Sequence, residues 1–349
     1  MTELKEKVVH FDVTPTDGIQ MLREKANGIQ NYCKDYTIKD VDITNLALYC
    51  TEDCVLAKFT DGVDVAKKFL TDHALGQLCT KLGVPARYVE KCMKNGHPEL
   101  AQNNLNTWIE DYGKNLFIRT YRDKIRGVLS NRYSVLDTPD IIDVVDTSTR
   151  GLGLKVKEYY MSEERFNCRL IQQEQMKING EDLFAGIQID SSDVGRSTLT
   201  VNFFIYKQVC TNGLCVTKGK GNMFTQRHIK ICSDDFKEQL KQALKTLPLL
   251  IEEYESTIQR CALQYNIFGS KYTSGNEETN KLIEECIQKI KYTTRLSDEG
   301  ANKVIDLARN RYGVSDWGIV NAITEVAQDY TLERRIELEK IAGSLLKVS

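Results

Sequence analysis

Nothing in this sequence approaches the roughly eighteen continuous apolar residues that a membrane-spanning helix needs. The N-terminal segment MTELKEKVVHFDV alternates charge and has no apolar core, so it does not read as a secretory signal. The expectation is a protein that stays in the cytoplasm and meets no membrane. Paired cysteine spacing is also missing. Eleven cysteines scatter without a repeat, and neither Cys50/Cys54 nor Cys210/Cys215 has the spacing of a zinc knuckle or a redox pair. Cys210, Cys215, His228 and Cys232 make four ligands on paper, but their spacings match no common zinc pattern. Reduced thiols acting as small buried hydrophobes are expected, with no metal and no cofactor. Histidine is scarce, at four residues. H-E-x-x-H, G-x-S-x-G and paired metal-carboxylate motifs are absent, so no enzyme class is signalled.

The absence that stands out is acid. Between Asp193 and Asp234 there is none, from Val194 to Ser233, while Arg196, Lys207, Lys218, Lys220, Arg227 and Lys230 remain. The chain as a whole is nearly neutral, at −2. Residues 1–113 carry net −4, residues 114–232 net +5 and residues 233–349 net −3. Two explanations compete. Acids repel a phosphate path that lysine and arginine favour through counterion release. A strand-rich core, by contrast, simply holds fewer charges.

A second basic stretch, KNLFIRTYRDKIRGVLSNRY (114–133), sets Arg119, Arg122, Lys124, Arg126 and Arg132 against one acid. Alternation in LFIRTY puts Phe117, Arg119 and Tyr121 on one face. Charge along a backbone and rings against bases are what single-strand binding requires, so Phe117, Tyr121 and Tyr133 are candidate stacking rings. The bland alternative is a core Phe and Tyr with a snorkelling Arg between them. Gly219 and Gly221 frame Lys218 and Lys220 in a loop that matches no phosphate-binding fingerprint.

The pattern predicts an α+β fold with an antiparallel β-sheet core and a packed helix, an N-terminal helical segment and a C-terminal helical region. Three divisions follow: an N-terminal α/β segment (1–113), a basic antiparallel sheet domain (114–232) and a C-terminal helical region (233–349). Val41 to Phe59 reads as two strands, and Leu70 to Tyr112 as helical. HALGQLCTKLGVPARYVEKCM has the outline of a helix-turn-helix, although two core helices joined at Gly83 and Pro85 explain it as well. Short β-rich runs fill Leu116 to Ile231, interrupted by one helix over Pro139 to Ser148. Asn179-Gly180 and Asn212-Gly213 fall where hairpin turns are expected. Ser233, Ser297 and Ser315 are N-cap candidates. Asp137, Asp140, Asp143 and Asp146 recur every third residue and read as an acidic helix face.

RGVLSNRYSVLDTPDIIDVV (126–145), VCTNGLC (209–215) followed by Gln226-Arg227-His228, WGIVNAITEVAQDY (317–330) and QLCTKLGVPARYVEKC together resemble a family of phage- and plasmid-borne proteins known as domain of unknown function 932. That resemblance implies a mobile element and supplies no catalytic residues. A more distant likeness is to phage single-strand annealing proteins and the eukaryotic Rad-type annealing recombinase, which implies a curved sheet, a packed helix and ring assembly. The combined expectation is a non-enzymatic single-stranded DNA binding or annealing protein working as a homo-oligomer in a host cytoplasm. Its phosphate contacts would be Arg119, Arg122, Lys124, Arg126, Arg132, Lys207, Lys218, Lys220, Arg227 and Lys230, with Asn212-Gly213 forming a tight turn. The alternatives are a protein-binding module that blocks a host defence complex, and an enzyme acting on a nucleotide or phosphate ester.

Overall fold

Alternating apolar and polar positions build two sheets, each with its own helical cover. The computed structural model describes residues 9–10, 15–178, 180–207, 212–216, 222–229, 231–264 and 277–346. The described chain opens with β1 (Val9–His10) and α1 (Pro15–Gln30), which both join the second sheet. It then enters the first sheet through β2 (Cys33–Ile38), β3 (Leu46–Cys50), β4 (Val55–Thr60) and β5 (Val65–Leu70). Three helices follow: α2 (Asp72–Leu82), α3 (Ala86–Lys94) and α4 (Pro98–Glu110). β6 (Leu116–Tyr121) and β7 (Lys124–Ser130) return to complete the sheet in the order β2-β6-β7-β5-β4-β3. Only the β5–β7 pair is parallel.

One face of this sheet is apolar because its inward positions are Ile38, Leu48, Ala57, Phe59 and Ile118, all buried beneath α2, α3 and α4. Thr71 caps α2, and Gly83 ends it in the left-handed region at φ 72°. Pro85 then opens α3. Leu78, Leu82, Val89 and Met93 are buried on the two helices, so this turn joins core helices. α4 also shields the sheet's edge. Asn106 accepts from Leu48 N–H and donates to Leu48 O, both at 2.9 Å, and Gln102 accepts from Cys50 N–H at 3.1 Å. These amides satisfy strand groups that would otherwise offer a template for edge-to-edge pairing.

The second sheet contains β8 (Leu154–Met161), β9 (Phe166–Gln172), β10 (Met176–Ile178), β11 (Glu181–Ser191), β12 (Leu199–Lys207), β13 (Asn212–Val216) and β14 (Asn222–Gln226). Its main path is β1-β8-β9-β11-β12-β13, with β10 on β11 and β14 on β12. α1, α5 (Thr138–Thr149) and α6 (Ser233–Leu263) pack on its apolar face. α7 (Glu277–Thr294), α8 (Asp298–Leu307) and α9 (Asp316–Val326) extend that body. Ser297 and Ser315 cap α8 and α9 as expected, whereas α6 begins one residue earlier than its sequence suggests, with Cys232 at the cap. No described helix is long and apolar enough to cross a membrane.

The fold class is the expected α+β, but the structure groups its elements differently from the sequence-based divisions. β6 and β7 belong with β2–β5, and α1 belongs with α5. Asn212 and Gly213 pair with Lys207 and Tyr206 as strand residues, so they do not form the turn. Gly180 does occupy the β10–β11 turn, at φ 80°, while its neighbour Asn179 lies outside the described residues.

The last helix, α10 (Leu332–Leu345), is fixed by charge. Arg169 and Gln188 are cross-strand partners, as are Glu158 and Arg169, so the three share the sheet face opposite the Leu170–Ile187 pair. Arg169, at 0% exposure, pairs with Glu158 and with Glu339 of α10, and lies 4.5 Å from the Phe204 ring centre. Arg335 of α10 reaches Glu158 and Glu339 at 2.9 Å each. Removing one member of such a buried group leaves uncompensated charge, which costs on the order of 3–5 kcal/mol. Arg169→Met is therefore expected to lower unfolding free energy by about that amount. Urea denaturation followed by circular dichroism measures it, and an unchanged midpoint would contradict the assignment.

Candidate nucleic-acid interface

The two bodies meet where a β-bulge interrupts β7. Gly127 pairs with Arg119 and Ile125 with Thr120, leaving Arg126 as the extra residue. A bulge re-aims side chains, and here it turns Arg126 toward the side that Arg119 occupies. The β11–β12 loop, residues 192–198, closes over this spot. Val194 rests on Gly127, where any Cβ would stand 2.9 Å from Val194 Cβ, so the close approach requires glycine. Gln77 of α2 donates to Val194 O at 2.8 Å and accepts from Val128 N–H at 2.7 Å.

Arg119, fully buried, ties the seam together. Its guanidinium donates twice to Asp137 at 2.6 Å, to the partly exposed Asp35 at 3.0 and 3.1 Å, and to Asp193 O at 2.7 Å. Burial alone would lower its pKa, but the hydrogen bonds and charge of Asp137, then Asp35, outweigh that and raise it. Asp193 accepts from Thr138 N–H at 3.0 Å and Thr138 Oγ1 at 2.9 Å, and its other oxygen faces Arg126 at 3.4 Å. Burial and the Asp137 charge push its carboxyl up to about 6, against the pull of Arg126 and Arg119. Beside it, Ser191 Oγ and His228 Nε2 lie 3.2 Å apart, and burial holds the His228 ring down at about 4. His228 is therefore neutral at pH 7, and its Nδ1 is buried without a partner.

This geometry reassigns several residues expected to hold phosphate. Arg119 and Arg126 are both 0% exposed and committed to the seam, so in this structure neither meets a ligand at the surface. Lys207 is buried and paired with Glu181 at 2.6 Å. Arg196 bridges Glu164 at 2.7 Å and Glu333 at 2.8 Å. Tyr133 is stacked between Phe117 and His228, with centroids at 6.3 and 5.4 Å, so its ring faces are occupied. Phe117 is only partly exposed. Arg122, Lys124, Arg132 and Arg227 are exposed, and Tyr121 partly so. Lys218, Lys220 and Lys230 lie outside the described residues. The recurring aspartates also have partners: Arg23 reaches Asp143 at 2.8 Å and Asp146 at 3.0 Å, while Asp137 and Asp140 form the α5 capping box.

The same sheet face continues past the seam, and there it is open. Register places Cys33, Tyr121, Lys124, Phe69, Leu56 and Tyr49 in one row across all six strands. Ala47, Lys58 and Lys67 form the next row across β3, β4 and β5. Rows two residues apart along a strand are separated by about 7 Å. Tyr49 is 43% and Phe69 42% exposed, and Lys58, Lys67 and Lys124 are exposed. Neither row contains an acid. Arg122, in the left-handed region at φ 53°, holds its guanidinium 4.6 Å from the Tyr32 centroid and 5.3 Å from Tyr121. Tyr32 meets Tyr121 edge-on at 6.3 Å. Thus Tyr121, Arg122 and Lys124 from the basic stretch join Tyr49, Lys58, Lys67 and Phe69, which sequence reading did not single out. Their signal was the alternation of VAKKFL, a strand with exposed residues at every second position.

A family model described as a domain of unknown function (DUF932) matches residues 126–345. No curated protein and no solved structure matches the chain. The matched segment begins at Arg126 of the bulge, so both open rows precede it.

The two shifted groups in the seam act oppositely on stability. His228, held below its ordinary value of about 6.5, contributes stability present above about pH 6.5 and lost as pH falls toward 4. Asp193, held above the usual carboxylate value of about 3.9, contributes stability present below that value and lost as pH rises through 6. His228→Gln keeps an amide opposite Ser191 but removes the titration. Its melting temperature is expected to drop less than that of the unsubstituted protein between pH 7 and pH 5. Parallel calorimetric profiles would show that His228 does not titrate as a buried neutral ring.

Proposed function

The chain belongs to the DUF932 family, a domain of unknown function, and from that premise we propose that it is a non-enzymatic single-stranded DNA binding or annealing protein of a phage or mobile element. The binding surface in this reading is the open face of the first sheet. The observation that carries it is the direct pairing of Lys58 with Lys67 on a face flanked by Tyr49 and Phe69. Like charges directly opposite each other destabilise a sheet, whereas a Lys–Glu pair there would help it. A passing phosphate relieves the repulsion, and the rings beside it stack on bases irrespective of sequence. Lys67 Nζ lies 5.9 Å from the Tyr49 centroid, so charge and ring occupy one spot. Arg122 and Lys124 extend the path toward β6. In this reading the protein works as a homo-oligomer.

Charge reversal at both lysines (Lys58→Glu with Lys67→Glu) removes two phosphate contacts. The slope of log affinity against log salt for an oligo-dT strand is expected to fall by about 1.4, given roughly 0.7 per contact. Tyr49→Ala and Phe69→Ala are each expected to cost about 1–3 kcal/mol of binding at constant salt slope. Fluorescence anisotropy titrations measure both. Undiminished affinity in the lysine variant, or no strand binding at low salt, would overturn this reading.

A further inference from the structure

The first sheet's face is divided by the seam, and its covered half also carries arginine and aromatic side chains, with one acid, Asp35, directly opposite Arg119. Phe117, Arg119 and Tyr121 alternate onto one face of β6, and the bulge adds Arg126 to it. What covers Arg119 is carboxylate. Asp35 and Asp137 fill its guanidinium edges in the two-pronged manner by which arginine also grips phosphate. Arg126 is satisfied on one nitrogen only: Nη1 donates to Glu163 O and faces Asp193 at 3.4 Å. Its other edge, Nε with Nη2, is buried without a partner. That edge is the side-on fork of the guanidinium, whose parallel N–H groups match two oxygens of a carboxylate or phosphate. An unfilled fork on a fully buried guanidinium carries a desolvation cost.

The seam is also built to part. Around Arg119, Arg126, Asp137 and Asp193 it is largely made of charges, the Tyr133 hydroxyl and backbone carbonyls, with apolar contact from Val194 on Gly127, Leu129 beside Gly195 and the Phe117–Tyr133–His228 stack. Charged groups regain hydration on separation, so buried ion pairs contribute little net cohesion. We infer that Arg126, with Arg119 beside it, forms a second, latent phosphodiester site, which Asp193 occupies as an internal phosphate mimic while the β11–β12 loop is closed. It rests on the open face being the strand-binding surface. A strand bound there reaches the latent site when the loop lifts, extending the track from Phe69 and Lys124 to Arg126, Arg119 and Phe117.

Asp193→Asn tests it. The amide still accepts from Thr138 but no longer opposes Arg126 and Arg119 with a charge. Affinity for a 30-nucleotide oligo-dT is expected to rise about tenfold, and adding Arg126→Gln is expected to cancel the gain. A folded Asp193→Asn protein that binds as the unsubstituted one does, or more weakly, overturns the inference while leaving the open face intact as a site. Absence of binding by both proteins overturns the open-face reading and this one with it. Amide hydrogen exchange of the unsubstituted protein gives an answer even if that variant fails to fold. Protection at Val194 and Gly195 is expected to fall on saturation with oligo-dT. Unchanged or increased protection, or an equal fall with inorganic phosphate alone, refutes a strand-gated site.

Discussion

The structure depends on keeping one charged side chain in the dark. Arg119 can be buried only because carboxylates and a carbonyl arrive from three directions: Asp35 from β2, Asp137 from the start of α5, and the Asp193 carbonyl from the β11–β12 loop. Each of those elements is thereby placed. The α5 N-terminus cannot slide without unpairing Asp137, and the loop cannot shift without releasing Val194 from Gly127. Leaving a buried guanidinium unpaired costs several kcal/mol, more than most single apolar contacts contribute. The two bodies are thus oriented by polar constraint, and their separate cores do the work of stability.

Much of the fold was legible in the sequence because it follows from local rules. Ser297 and Ser315 cap where caps were expected, the Gly83–Pro85 turn separates two helices, and α5 spans nearly the residues that its pattern suggests. What was not legible is partnership between distant segments. LFIRTY announces a strand with a basic, aromatic face, but it cannot say that β2 and Asp35 will lie beside it. Nor can it say that Asp193, 74 residues away from Arg119, will lie across it. Arg119 and Arg126 therefore read as surface cations when they are interior ones. The register that aligns Tyr49 with Phe69 likewise depends on pairing, and a single strand such as LALYC shows only one ring.

The acid-free stretch has a physical explanation that differs from the phosphate path it suggested. All nine residues of β12 are buried, on both faces of the sheet, and an acid there would have no water and no spare cation. The described cations of that stretch are largely spent: Lys207 on Glu181, and Arg196 on Glu164 and Glu333. Arg196, although ion-paired, and Arg227 are the exposed ones. The composition thus records burial, and the residue that bounds the stretch, Asp193, is the one with the larger structural role.

The open face poses a problem that the covered one does not. A sheet surface with exposed Tyr49, Val65 and Phe69 invites association, and charges placed within it are a common protection. Either sign would serve for that purpose, and alternating signs would serve best, since opposite charges across a strand pair also stabilise it. The sequence instead sets lysine against lysine at Lys58 and Lys67, with Lys124 in the adjoining row and no acid among them. Protection against aggregation accounts for the charges. It does not account for their all being positive, nor for accepting repulsion where a glutamate would have removed it. Under the proposed function, a strand laid across the face supplies the missing counter-charge, and it does so only when bound.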